Sequence, residues 1–137
     1  MIGRRHHDRG SFTVELVLMV PVLMLSTLLV VHYGRVAAIS SKVAHAADSA
    51  ARAASLVDDA RQTDAARRVA MADLVSNGVR CTTRSVHLQR RGTSGARDVT
   101  VRVTCTSSVD GLGLLAARQV TITRESTERI DVYTSRG

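Results

Sequence analysis

The chain has 137 residues and a formal charge of +7, and 18 of its 19 basic residues are Arg. That length holds one small domain beside one long apolar segment and excludes two full domains. The aromatics are Phe12, Tyr33 and Tyr133, so any core must be built from Ala, Val, Leu and Ile. With no aromatic interleaved among the cations, a nucleic-acid platform is not expected.

The first ten residues, MIGRRHHDRG, set Arg4, Arg5 and Arg9 against Asp8. Phe12–Val31 follows, a run of 20 residues whose one charge is Glu15. A helix of that length covers about 30 Å, the hydrocarbon thickness of a bilayer. Basic residues beside a span hold that end in the cytoplasm, so the expected topology is single-pass, N-terminus in and C-terminal domain out. A cleaved secretory signal is the competing reading. Its apolar region would run about 7–15 residues, and the nearest Ala-x-Ala pattern, Ala44-His45-Ala46, ends 15 residues past Val31. The expected division is therefore a basic leader over 1–10, a transmembrane helix over 11–33 and an extracytoplasmic domain over 34–137.

Glu15 is costly at the start of a membrane helix. It either snorkels to water, where it complements the positive end of the helix dipole, or has a partner. Pro21 removes one helical hydrogen bond and is expected to kink or loosen the helix. Simple tolerance of Pro in membrane helices is one account. A melt point that aids extraction from the bilayer is the other.

Past Gly34, the expected hinge, the Ala-rich run RVAAISSKVAHAADSAARAASL contains no Gly or Pro. Val36, Ile39, Val43, Ala46, Ala47, Ala50, Ala54 and Val57 mark one stripe at helical spacing. This helix is expected to extend the span and pack on its own domain, its small residues also suiting a partner helix. After Asp58-Asp59, Thr63 is the expected N-cap of a second helix over about Asp64–Ser76. Val69, Ala70, Leu74 and Val75 form its stripe, and Asn77-Gly78 stops it. The period then falls to two. Val86 and Leu88 mark a first strand. Val99, Val101, Val103 and Cys105 alternate with Thr100, Arg102 and Thr104 in a second, and Val120 and Ile122 belong to a third. Ile130 and Val132 prolong the third strand or form a tail. The loop Arg91-Gly92-Thr93-Ser94-Gly95 makes the first hairpin, pairing Val86 with Val101 and Leu88 with Val99. The apolar segment Val109–Ala117 is expected to cover the sheet, a partner patch being the alternative. The fold class is α+β: an anchored helix, a second short helix and a small antiparallel sheet.

Cys81 and Cys105 form a disulfide if the domain lies outside the cytoplasm, and are otherwise two buried thiols. The expected register puts Thr82 opposite Cys105, so the bond needs a bulge or an irregular strand start near Cys81. No second Cys or His stands at zinc spacing. His6, His7, His32, His45 and His87 pair with no Ser, Cys or acid in a catalytic order, and there is neither a phosphate-binding Gly loop nor HExxH. No enzymatic activity, metal or cofactor is expected.

Residues 10–15 read Gly-Ser-Phe-Thr-Val-Glu, directly before the apolar helix. This resembles the type IV pilin signal: a basic leader ending in Gly, a cut by an inner-membrane prepilin peptidase, and Glu as the fifth mature residue. RGSFTVELVLMVPVLMLSTLLVVHYGRVAA, with Pro21 in mid-span and Gly34-Arg35 at the exit, is similar to the TadE-like minor pseudopilins of the tight-adherence (Flp) pilus. The likeness covers roughly the first 55 residues. Thr13-Val14 precedes Glu15, and Leu16 stands where the family often has Phe. The resemblance implies cleavage between Gly10 and Ser11. It implies that Glu15 pairs with the new amine of a neighbouring subunit and sets register. It also implies work in a tight-adherence pilus or a type II-like secretion apparatus. The implied partners are the prepilin peptidase, other pilins or pseudopilins with their assembly platform, and membrane lipid. An uncleaved anchored domain that binds an extracytoplasmic ligand is the rival reading, and a secreted small enzyme or DNA-uptake protein released by signal peptidase is a third.

Overall fold

The computed structural model describes residues 9–93, 96–109 and 118–130, with side chains 9–13, 93, 96, 109 and 118 left aside. Its elements in chain order are α1 (Arg9–Ser55), α2 (Gln62–Ser76), β1 (Thr83–Thr93), β2 (Ala96–Val109) and β3 (Arg118–Ile130). This is the α+β architecture expected from the alternation of helical and two-residue periods. The chain divides into two units, residues 1–35 and 36–137.

Unit 1 is described from Arg9 and is helical throughout. From Val14 to Val31 its apolar side chains are exposed on every side. Mean hydropathy reaches 2.5 in an 18-residue window, so the helix is long and apolar enough to cross a membrane. The helix runs unbroken through Pro21, whose missing N–H leaves the Val17 carbonyl without its usual donor. One turn on, the Ser26 and Thr27 hydroxyls donate to the carbonyls of Val22 and Leu23, each at 2.8 Å. Their polar groups are thereby satisfied without water, as an apolar solvent requires. The backbone is helical at Gly34, the expected hinge.

In unit 2, α1 buries the stripe read from its spacing. Val43, Ala46, Ala47, Ala50 and Ala54 are fully buried, joined by Ala51. Ile39 packs against the same cluster. The second helix begins earlier than expected. The Arg61 and Gln62 amides already bond to the Asp58 carbonyl, at 2.8 and 3.1 Å. Thr63 therefore falls inside the first turn, and the capping position is Arg61, which makes no side-chain cap. The buried face of α2 is Gln62, Ala65, Ala66, Ala70 and Leu74, while Val75 is 63% exposed. The expected stripe was thus right at Ala70 and Leu74 and wrong at Val75, which lies a hundred degrees round the helix from Leu74.

The stop at Asn77-Gly78 is as expected. The Val79 amide bonds to the Leu74 carbonyl and the Gly78 amide to the Val75 carbonyl, at 2.9 and 3.0 Å. Together these form a Schellman cap. Gly78 sits at φ +67°. A Cβ there would meet nothing within 4 Å, so a Gly78→Ala variant should lose only the left-handed backbone penalty, roughly 1–2 kcal/mol. Chemical denaturation would measure it, and a Gly78→Asn variant should lose less. Lys42, the chain's one lysine, donates from Nζ to the Asn77 carbonyl at 2.8 Å, placing a cation at the negative end of α2.

The sheet is antiparallel in the order β1-β2-β3. Its register corrects the expected one. Val86 faces Val103 and Leu88 faces Val101, two residues from the expected partners, and Arg84 rather than Thr82 faces Cys105. Gly92 looked like a turn residue, yet it continues β1 at φ +133°. The first pair of strands therefore runs on to Thr93↔Ala96. A slip of two keeps each side chain on its expected face, so the inward row Val99, Val101, Val103 and Cys105 is buried as the alternation required. The outward row forms cross-strand pairs: Thr100 with Thr127, Thr104 with Thr123, Thr106 with Thr121, and Arg102 with Glu125. Ile130 closes β3 and is buried. Val132, the Ser94-Gly95 connection and residues 110–117 of the apolar segment lie outside the described residues.

Candidate functional site

The residues singled out for processing lie at the start of α1. Arg9, Gly10 and Ser11 have helical backbone. Ser11 and Glu15 stand four residues apart in sequence, about 6 Å along the helix axis. Glu15 is exposed and is the one charged residue between Val14 and Val31. Six residues further on is Pro21, inside the same helix.

Cys81 and Cys105 are bonded, with Cα atoms 5.4 Å apart. Cys81 precedes β1, and the Thr82 amide joins the sheet by donating to the Thr106 carbonyl at 2.7 Å. This is the irregular strand start that the sequence required for the bond. It ties the connection from α2 to the C-terminal half of β2, and the thiols are not free.

Two polar groupings in unit 2 had no signal in local spacing. His45 Nδ1 lies 3.1 Å from Asp73 Oδ2 and 3.5 Å from Ser49 Oγ. The residue types suggest a hydrolase triad, but the geometry does not. Acid and hydroxyl share one ring nitrogen, whereas nucleophile activation needs Ser on one nitrogen and the acid on the other. With His45 side-chain exposure at 70%, this is a surface tie between α1 and α2. The second grouping is at the turn between the helices. Gln62 is fully buried, and Arg90 Nε donates to its Oε1 at 2.8 Å. Arg90 also donates to the Asp59 carbonyl, and Arg97 pairs with the Asp59 carboxylate at 3.0 Å. Among the described residues every buried side-chain N or O atom has a hydrogen-bond partner, so the cluster positions the turn and leaves no orphan for a ligand. Among the described residues, no group of three or more His, Cys, Asp or Glu is placed to hold a metal.

The described chain thus combines an apolar helix long enough to cross a bilayer with a disulfide-stapled α+β unit. Residues 10–52 match the family model described as TadE-like protein. The chain is TadE-like over that segment, and the likeness points to a protein related to the Tad pilus. The matched segment lies within α1, and α2 and the sheet fall beyond it. No curated protein and no solved structure matches the chain.

Proposed function

We propose that this chain is a TadE-like minor pseudopilin, cut by a prepilin peptidase after Gly10, that acts in assembly of a tight-adherence pilus. The observation that carries the reading is the family match starting at residue 10, the Gly of Gly-Ser-Phe-Thr-Val-Glu. Gly10 has no side chain to obstruct a protease cleft. Cleavage there leaves a cationic amine on Ser11, which in a bilayer needs an anionic partner. Glu15 of a neighbouring subunit supplies that partner and sets the axial register. The protein is a substrate of the peptidase and not itself an enzyme. It sits in the cytoplasmic membrane with unit 2 outside.

The test is the N-terminal sequence of the protein from its native host. A start at Ser11 is expected. An intact leader would overturn the reading and leave an anchored domain that binds an extracytoplasmic ligand. A Glu15→Ala variant should still be cut but should fail to enter the assembly, scored by its co-purification with the other pilus subunits. Normal entry would remove the register role.

A further inference from the structure

Asn77 is the chain's one asparagine, and Gly78 follows it. Both are exposed at the end of α2. An asparagine side chain holds an electrophilic carbon, Cγ, and a leaving group, Nδ2, close to the next backbone nitrogen. A glycine in the next position has no Cβ to obstruct attack by that nitrogen. The pair therefore brings together the parts of an intramolecular reaction.

The cap of α2 holds those parts out of line. Asn77 has ψ 5°, which turns the Gly78 nitrogen toward Asn77's own amide and away from its Cβ. The Gly78 N–H donates to the Val75 carbonyl at 3.0 Å. Asn77 Nδ2 donates to the Asp73 carbonyl at 2.9 Å. Nucleophile and leaving group are thus both tied to the last turn of the helix. A third tie crosses from α1, where Lys42 Nζ bonds to the Asn77 carbonyl. That oxygen belongs to the peptide unit that has to rotate before the nitrogen can reach Cγ.

We propose that Asn77-Gly78 is a site of spontaneous deamidation, latched by the cap of α2 and by Lys42. When the cap opens in a local fluctuation, the Gly78 nitrogen gives up its proton and attacks Cγ. The Cγ–Nδ2 bond breaks, and Nδ2 leaves as ammonia with a proton in place of the lost bond. Solvent water then opens the cyclic imide. Opening at the side-chain carbonyl gives aspartate, and opening at the backbone carbonyl gives isoaspartate. Either product puts a carboxylate at the negative end of α2, where an anion is unfavourable. Isoaspartate also lengthens the main chain by a carbon, so the Gly78 and Val79 amides no longer meet the Val75 and Leu74 carbonyls. Val79 is buried and leads to Cys81, so the modification loosens the connection from α2 to the sheet. The inference is independent of how residues 10–15 are processed.

The full chain in detergent would be held in mildly alkaline buffer, native or in guanidinium chloride, and sampled over time. Trypsin releases residues 69–80 as one peptide, and Asp110-Gly111 falls in another, so mass spectrometry scores residue 77 alone. The denatured chain should convert steadily. The native chain should convert roughly thirtyfold more slowly, the factor expected of two ordinary hydrogen bonds. A Lys42→Ala variant should raise the native rate about fivefold and leave the denatured rate unchanged. Lys42→Arg, which keeps a donor, should hold the rate near that of the parent. Gly78→Ala, read in guanidinium chloride where folding has no influence, should convert much more slowly. A denatured chain that does not convert, or a Gly78→Ala chain that converts at the parent's rate, would overturn the site. Equal rates in native and denatured chains would overturn the latch, and an unchanged native rate in Lys42→Ala would overturn the part of Lys42 in it.

Discussion

A Leu74→Ala variant is expected to lose about 3 kcal/mol of unfolding free energy, within the roughly 2–5 kcal/mol typical of buried leucines. Leu74 is the largest fully buried side chain of the unit. The helical part of its core is otherwise mostly Ala. Short side chains on rigid helices cannot collapse into the vacated volume, so the cavity should persist. For a unit of this size the melting temperature would fall by roughly 12–24 °C, read by circular dichroism on the full chain in detergent. Val75→Ala is the matched control, one residue away and 63% exposed, and should change stability by less than about 0.5 kcal/mol. Equal losses at the two positions would mean the buried face of α2 is assigned to the wrong side.

Removing the disulfide should have an effect of similar size. Cys81 and Cys105 are separated by 24 residues, and closing a loop of that length restricts the unfolded chain by about 3 kcal/mol in the chain-entropy account. A Cys81→Ala/Cys105→Ala variant should show a lower denaturation midpoint, with a slope close to that of the parent. Reductant should move the parent chain to the same midpoint and leave the variant where it is. A parent chain insensitive to reductant would show that the bond contributes nothing to stability. The size of the effect follows from the make-up of the core. Val, Ala and Ile bury little area each, and a unit of about a hundred residues built from them leans on a covalent tie.

The features that could be read from sequence were those fixed by local periodicity. The Ala stripe of α1, the alternation from Val99 to Cys105 and the Asn77-Gly78 stop each depend on residues a few positions apart, and each appears where its spacing put it. The errors arose where one residue type serves two backbone states. Gly92 suits a turn but continues a strand here, so the loop is shorter than its composition implies and the register differs by two. Thr63 has a good capping side chain, yet the helix is already bonded back to Asp58. The contacts between elements were beyond reach. Lys42 meets Asn77, His45 meets Asp73 and Arg90 meets Gln62 across separations of 35, 28 and 28 residues. Nothing in the local pattern announces such pairs. Of the candidate site, Gly10, Ser11 and Glu15 were singled out by spacing alone, and their proposed chemistry awaits the N-terminal sequence.

Helix α1 also limits where unit 2 could be cut from the rest of the chain. The residues that follow the apolar stretch are not a linker: Val43 to Ala54 supply one wall of the core. A protease cutting beyond Val43 would remove part of that wall and leave β2 with an exposed valine face, prone to self-association. Shedding of an intact domain therefore requires a cut before residue 36. A secreted version for laboratory use must likewise begin there, because one beginning at α2 would lack the helix that its sheet is built upon.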